Sequence, residues 1–259
     1  MFQKKSLGQH FLHSTHYLNM IVDAADIKPG ERVLEIGPGD GALTAALIAR
    51  GAEVVAIEKD SRLIPILQKT FAEDIREKKL SLIEGDALEV GAETLELKDR
   101  AYKLVANIPY YITGAIMEKF LSSGVQPSAM TLLVQKEVAE RIAREKKESI
   151  LSLSVKAYGT PIYMHTVPAG AFSPPPKVDS AILSITNISR KNFANANQEK
   201  RFFEIVHAGF AHKRKLLGRN LEPLLGKEYS GILQNIGVTE NARAEDMPLE
   251  TWLALSRHQ

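Results

Sequence analysis

"RVLEIGPGDGALTAALIAR", residues 32–50, decides how this chain folds. "RVLEI" is short, mostly apolar and rich in strand-forming residues, so it reads as a strand. Gly37, Gly39 and Gly41 follow at every second position. Such a loop turns tightly and lets a ligand approach the backbone. "ALTAALIAR" is then a helix that Gly51 ends. A strand, a glycine loop and a helix open a parallel α/β unit, and the helix N-terminus favours negative charge. The spacing is G-x-G-x-G, which differs from the G-x-G-x-x-G of dinucleotide folds.

The pattern repeats downstream. "EVVAI" (53–57) is the next strand, followed by a helix carrying Leu63, Ile64, Leu67 and Phe71. Pro65 is tolerable there only within the first turn. "LSLIEGD" gives a third strand and "YKLVAN" a fourth. A helix with Ile116, Met117, Phe120 and Leu121 leads to a fifth strand, "MTLLVQ" (130–135), and a basic helix over 136–147. This alternation reads as right-handed βαβ units around a parallel sheet. Upstream, Ser14 is placed to cap a helix with the stripe Tyr17, Leu18, Ile21, Val22 and Ala25. Downstream, "AFSPPPKVDSAILSI" (171–185) is a proline-locked loop entering a strand. Residues 187–200, "NISRKNFANANQEK", are polar and asparagine-rich and are expected to form a hinge. Beyond them Phe202, Phe203, Val206 and Phe210, then Leu249, Trp252 and Leu253, are helically spaced. The expected organisation is an α/β domain over 1–190 and a small all-α domain over 191–259.

The chain has 259 residues and a net charge of +2, unevenly spread. From Arg190 to Asn220 there are eight Lys/Arg against two Glu, whereas Glu73 to Lys103 holds nine acids and six bases. A basic end on a near-neutral chain points to a polyanionic partner. There is no cysteine, which excludes disulfides and thiolate metal sites and fits a reducing compartment. No apolar run reaches the roughly 18 residues of a membrane span. "MFQKKSLGQHFL" has no apolar h-region and is not a signal peptide. The expectation is a cytoplasmic protein with no membrane, metal or DNA partner.

Three acids define a candidate cofactor site. Glu58 closes the second strand, where a carboxylate can accept from two ribose hydroxyls, a feature of both NAD and S-adenosylmethionine. Asp86 closes the third strand and can accept from an adenine amine. Glu35 precedes the glycines and can face the ammonium end of a methionine moiety. Three acids with no Arg or Lys nearby suit a cationic sulfonium better than a pyrophosphate.

Beside that site, "NIPY" (107–110) ends the fourth strand. An adenine amine is a poor nucleophile because its lone pair is delocalised into the ring. Two acceptors on its N–H bonds pull the nitrogen toward tetrahedral geometry. The Asn107 side-chain oxygen is one, and the Ile108 carbonyl, held by rigid Pro109, is the expected second. Tyr110 offers a flat face to an extruded base. Positioning and electrostatics then carry the catalysis.

"LGQHFL" (7–12), "EIGPGDGALT" (35–44), "IEKD" (57–60), "GDA" (85–87), "NIPYYIT" (107–113), "QKEVAER" (135–141), "FSPPPKVDSA" (172–181) and "HKRKLLGRNL" (212–221) appear in this order. Along nearly its whole length the chain resembles the KsgA-type family of small-subunit ribosomal RNA adenine dimethyltransferases. The resemblance implies a Rossmann-like S-adenosylmethionine-dependent methyltransferase sheet with a small all-α C-terminal domain. It implies dimethylation of two adjacent adenines near the 3′ end of small-subunit (16S) rRNA, as a late step of subunit assembly. The implied cofactor contacts are His10, Leu12, Gly37, Glu58, Asp86 and Asn107, with Glu35, Gly39, Gly41 and Ala87 in the same motifs. Phe172 is implied to stack on the target base opposite Tyr110. Two residues depart from the family pattern: His10 stands where Asn is usual, and Ile108 where Leu is usual. Ile108 is also common in Erm-type enzymes, which dimethylate one adenine of large-subunit rRNA. That activity, a DNA adenine or protein glutamine methyltransferase, and an assembly factor with dispensable catalysis are the alternatives. In "HKRKLLGRN" (212–220), Lys213, Arg214, Lys215 and Arg219 are candidate phosphate contacts. If the segment is helical, Lys215 and Arg219 share a face.

Overall fold

A computed structural model describes residues 10–91 and 94–258. Residues 7–9 of the "LGQHFL" motif lie outside the described residues. The chain divides into two compact units, one formed by residues 1–139 and 160–188, the other by 140–159 and 189–259. The division after residue 188 lies close to the expected 190/191 break. The segment 140–159, expected in the first domain, groups with the second unit instead.

Among the described residues the first unit contains nine strands: β1 (Phe11–Leu12), β2 (Arg32–Ile36), β3 (Glu53–Glu58), β4 (Leu80–Glu84), β5 (Tyr102–Asn107), β6 (Ala129–Gln135), β7 (Thr160–Val167), β8 (Phe172–Ser173) and β9 (Ser180–Thr186). Seven form one sheet in the order β4-β3-β2-β5-β6-β9-β7. β2 to β6 are mutually parallel, and β9 runs antiparallel to both β6 and β7. The five strands read from the sequence as βαβ units are thus the five parallel ones, and the antiparallel β7 and β9 extend the sheet beyond them. β7 and β9 pair as neighbours returning along the sheet edge, which needs no crossover helix. β1 and β8 form a separate antiparallel ribbon, with Leu12 opposite Phe172.

The central strands are apolar on both faces because helices cover both. Val33, Leu34, Leu104 and Val105 are completely buried. Helix Ile64–Thr70 carries Pro65 in its first turn, where the missing N–H costs nothing. Ser14 sits at the N-cap of helix Thr15–Ala24, but its side chain makes no capping bond; only its carbonyl accepts, from Leu18 N at 3.0 Å. The basic helix is Lys136–Ala143 and does not extend to Lys147.

The second unit is helical, with helices Ile150–Tyr158, Ala196–Gly209, Leu217–Leu225, Tyr229–Asn235 and Leu249–Leu255. Phe202, Val206 and Trp252 form its buried centre, and Phe210 stacks on Trp252 at 5.5 Å between centroids. Residues 189–195 are no free hinge. Asn192 Nδ2 donates to Ala157 O at 2.8 Å, Phe193 is buried, and Asn195 caps helix Ala196–Gly209 by accepting from Gln198 N. No described helix is long and apolar enough to cross a membrane.

Candidate active site

The sheet order places the site. From β2 the chain moves outward through β3 to β4, then returns to β5 on the other side of β2. The connections diverge at β2 and β5, so a crevice opens at their carboxyl ends. The residues there line an open cleft of about 1040 Å³, its solvent-filled mouth included.

The glycine loop forms one wall. Gly37 N donates to Ile57 O at 2.9 Å, which ties the loop to the end of β3. Gly37, Gly39 and Gly41 all have positive φ, from +63° to +87°, a conformation that L side chains rarely adopt. A Cβ on Gly37 would meet no atom of the described residues within 4 Å, whereas one on Gly39 would strike the Phe11 ring. Gly41 differs from expectation. It is absent from the cleft wall and lies against Phe71, where a Cβ would come within 2.5 Å of the ring. Its role is helix packing.

Glu58 reaches back under this loop. Its Oε2 accepts from Gly39 N at 3.1 Å and its Oε1 from Asp60 N at 2.7 Å. Burial raises its pKa, and these backbone donors oppose the rise. Glu35 is more deeply buried. Thr44 Oγ1 donates to its Oε2 at 2.7 Å, and its Oε1 has no partner among the described residues. Burial pushes its pKa up to about 8, with the neighbouring Glu58 and Asp40 charges adding to the rise.

Asp86 lies two residues beyond β4. Its Oδ1 accepts from Leu88 N at 2.9 Å and its Oδ2 from Lys59 Nζ at 2.5 Å. The Lys59 bond holds the Asp86 carboxyl below the usual carboxylate range. Lys59 also lines the cleft, so the expectation of an acid cluster without a lysine is corrected. The signal was adjacent to Glu58 in "IEKD", but only the packing of β3 beside β4 brings its ammonium onto Asp86. Ala87 completes this wall.

Asn107, Ile108, Pro109 and Tyr110 line the opposite side. Asn107 ends β5, and its Nδ2 donates to His10 O at 3.2 Å. That bond leaves Oδ1 as the free acceptor of the amide. His10 Nδ1 donates to Pro174 O at 2.8 Å, and the His10 ring stacks on Tyr110 with centroids 6.1 Å apart. Tyr110 Oη shares a hydrogen bond with Ser180 Oγ at 2.7 Å. Leu12 and Phe172 also reach the cleft, although both are buried in the β1–β8 ribbon and the main core. The structure thus gathers every expected cofactor and catalytic residue except Gly41. Sequence reasoning missed Lys59, Thr44 and Ser180, whose contacts depend on how strands and helices pack.

The candidate phosphate contacts lie in the second unit. Residues 212–216 form turns, and the helix begins at Leu217, so Lys215 and Arg219 do not share a helical face. Lys213, Arg214, Lys215 and Arg219 are all exposed. Arg219 pairs with Glu222 at 3.3 Å. Asn220, in the same motif, is buried and donates to Gly209 O at 2.6 Å and His212 O at 3.1 Å, which fixes the turn that displays these cations.

Residues 2–258 match the family described as Ribosomal RNA adenine dimethylase. The chain belongs to this family. A relative from Dehalococcoides mccartyi (strain CBDB1), named Ribosomal RNA small subunit methyltransferase A, is 42% identical over 256 residues, covering 97% of this chain and 87% of its own. The crystal structure of a dimethyladenosine transferase from Plasmodium falciparum superimposes with a TM-score of 0.76 at 26% identity, covering 95% of this chain and 96% of that one. That of the 23S rRNA methyltransferase ErmE gives 0.75 at 25% identity, covering 95% and 98%. This ribosomal RNA adenine dimethylase is therefore an enzyme with a Rossmann-like methyltransferase unit, and RNA is its substrate.

Proposed function

We propose that this enzyme dimethylates the N6 amines of two adjacent adenines near the 3′ end of small-subunit (16S) rRNA, late in subunit assembly and in the cytoplasm. The observation that carries the reading is the orientation of Asn107. With Nδ2 held by His10 O, the amide presents an acceptor at the end of β5, across the cleft from the glycine loop. The relatives named for small-subunit methylation favour the small subunit over the Erm-type alternative.

S-adenosylmethionine is the methyl donor, and when bound it supplies an electrophilic methyl group whose C–S bonding electrons leave with the thioether. The residues present fit it. Gly37, where a Cβ would meet no atom of the described residues within 4 Å, admits a ligand against the backbone. Oε1 of Glu35, without a partner among the described residues, provides a buried acceptor for a cationic group. Glu58 keeps lone pairs for ribose hydroxyls beyond those used by Gly39 and Asp60, and Asp86 with Ala87 lines the adenine end. Leu12 and His10 close the near side. Asn107 Oδ1 and the Ile108 carbonyl accept the two amine hydrogens of the target and free its lone pair for attack. Tyr110 and Phe172 provide aromatic surface for the extruded base, and Pro109 holds the turn rigid. After transfer the nitrogen is cationic and acidic, so it loses its proton without a strong base. In the second unit, Lys213, Arg214, Lys215 and Arg219 contact RNA phosphates.

The test is incubation with labelled S-adenosylmethionine and either unmethylated small or unmethylated large subunits, with the label mapped to nucleotides. Label on two adjacent adenines of the small subunit is expected. Label on a large-subunit adenine overturns the assignment.

A further inference from the structure

Tyr110 stands in a short 3-10 turn, Tyr110–Ile112, where little regular structure restrains its ring. Its neighbour Tyr111, in the same turn, is 65% exposed. Tyr110 is instead half-buried, and two contacts define its attitude. One is the His10 ring, inclined at 25° with its centroid 6.1 Å away, which lies offset against it. The other is the hydroxyl bond to Ser180 Oγ at 2.7 Å.

Ser180 is an unusually firm anchor. It is completely buried and is the first residue of β9. It pairs with Gln135 of β6 on one side and Val167 of β7 on the other. A hydroxyl on a strand paired along both edges has little freedom to follow a moving ring. A site held by such an element is more exact than one held by a loop. His10 is tied in turn, by its Nδ1 to Pro174 O and by its carbonyl to Asn107 Nδ2. The ring that receives the base and the amide that receives its amine are thus linked through one residue.

We propose that Ser180 is a positioning residue for the target base, fixing the Tyr110 ring, with the His10 ring offset against it, so that a face is presented to the extruded adenine. The inference rests on the proposed role of Tyr110 as the base platform. Burial raises the Tyr110 pKa, so the phenol stays neutral and keeps a proton for this bond.

The experiment compares wild type with Ser180→Ala, Tyr110→Phe and the double variant, as full chains on unmethylated small subunits. Single-turnover methylation is measured over a range of subunit concentrations, and S-adenosylmethionine affinity by calorimetry. Each single variant is expected to lower methylation rate over half-saturating subunit concentration by about 3- to 10-fold, the worth of one neutral hydrogen bond. S-adenosylmethionine affinity stays within about twofold. The double variant is no worse than either single one, because both remove the same bond. Effects that multiply, a Ser180→Ala rate equal to wild type, or a loss confined to cofactor affinity overturns the proposal. If Ser180→Ala does not fold, Tyr110→Phe decides alone, and a rate equal to wild type overturns it. A wild-type enzyme inert on small subunits brings down the functional reading itself; an active wild type with additive variants brings down only the role of Ser180.

Discussion

Asn107 Nδ2 lies 3.2 Å from the carbonyl oxygen of His10, so the backbone of the N-terminal segment orients the amide at the end of β5. A carbonyl only accepts, so the nitrogen is the engaged end and the oxygen is free for an amine. The contact uses the backbone of His10. It is therefore insensitive to which side chain stands at position 10, and the His10 ring packs on Tyr110.

Asn107→Ala removes one preorganised acceptor. The expected loss in single-turnover methyl transfer is about 10²–10³-fold. Asn107 is only partly buried, so the melting temperature should change little. A rate within tenfold of wild type would contradict the role.

Glu58→Ala removes a ligand contact and two intramolecular bonds at once, those from Gly39 N and Asp60 N. Loss of a hydrogen bond to a charged group costs about 1.5–3 kcal/mol, so S-adenosylmethionine affinity should fall roughly 10- to 100-fold. The loop also loosens, and thermal stability should fall with it. Calorimetry and a melting curve on the same sample read both effects.

Glu35 makes stability depend on pH. Its pKa rises from 4.5 in the unfolded chain to about 8 in the folded one. Below 4.5 both states hold the proton, and the group contributes its full share. Between about 4.5 and 8 the unfolded chain loses the proton first, so stability falls as pH rises. Glu35→Gln keeps an acceptor for Thr44 without a titrating group. The melting-temperature difference between wild type and Glu35→Gln should therefore move against the wild type between pH 5 and 8. A difference that stays flat across that range would contradict the assignment.

Gly209→Ala tests the second unit. A Cβ there would collide with the Trp252 ring and press on Leu217. Alanine gains about 1 kcal/mol in helix propensity. Overpacking costs about 1–3 kcal/mol, and the buried indole has nowhere to move. Net destabilisation is expected in urea unfolding.

Reversing Lys213, Lys215 and Arg219 to Glu should weaken binding to small subunits and flatten its salt dependence. The slope should drop by roughly 0.7–0.9 for each phosphate that is no longer neutralised. All three are exposed, and the Arg219–Glu222 pair is a surface one worth little, so folding should survive. S-adenosylmethionine affinity should not change. Filter binding across a salt series measures the slope; an unaltered slope and affinity mean that this face does not touch RNA.

The sequence by itself determined whatever depends on local period and turn chemistry. The G-x-G-x-G loop after "RVLEI", the strand ends at Glu58 and Asn107, and the first-turn position of Pro65 are set by neighbours a few residues away. Tertiary structure alone decided the rest. The antiparallel β9, the β1–β8 ribbon and the grouping of residues 140–159 with the second unit follow from pairings between distant segments, which no local pattern encodes. The same holds within the site. Glu35 and Thr44 meet because a helix crosses back over β2, Lys59 reaches Asp86 across two strand ends, and Tyr110 finds Ser180 seventy residues away. Residue type marked which groups carry the chemistry. Their hydrogen-bond partners, and hence their charge and orientation, were decided when the sheet assembled.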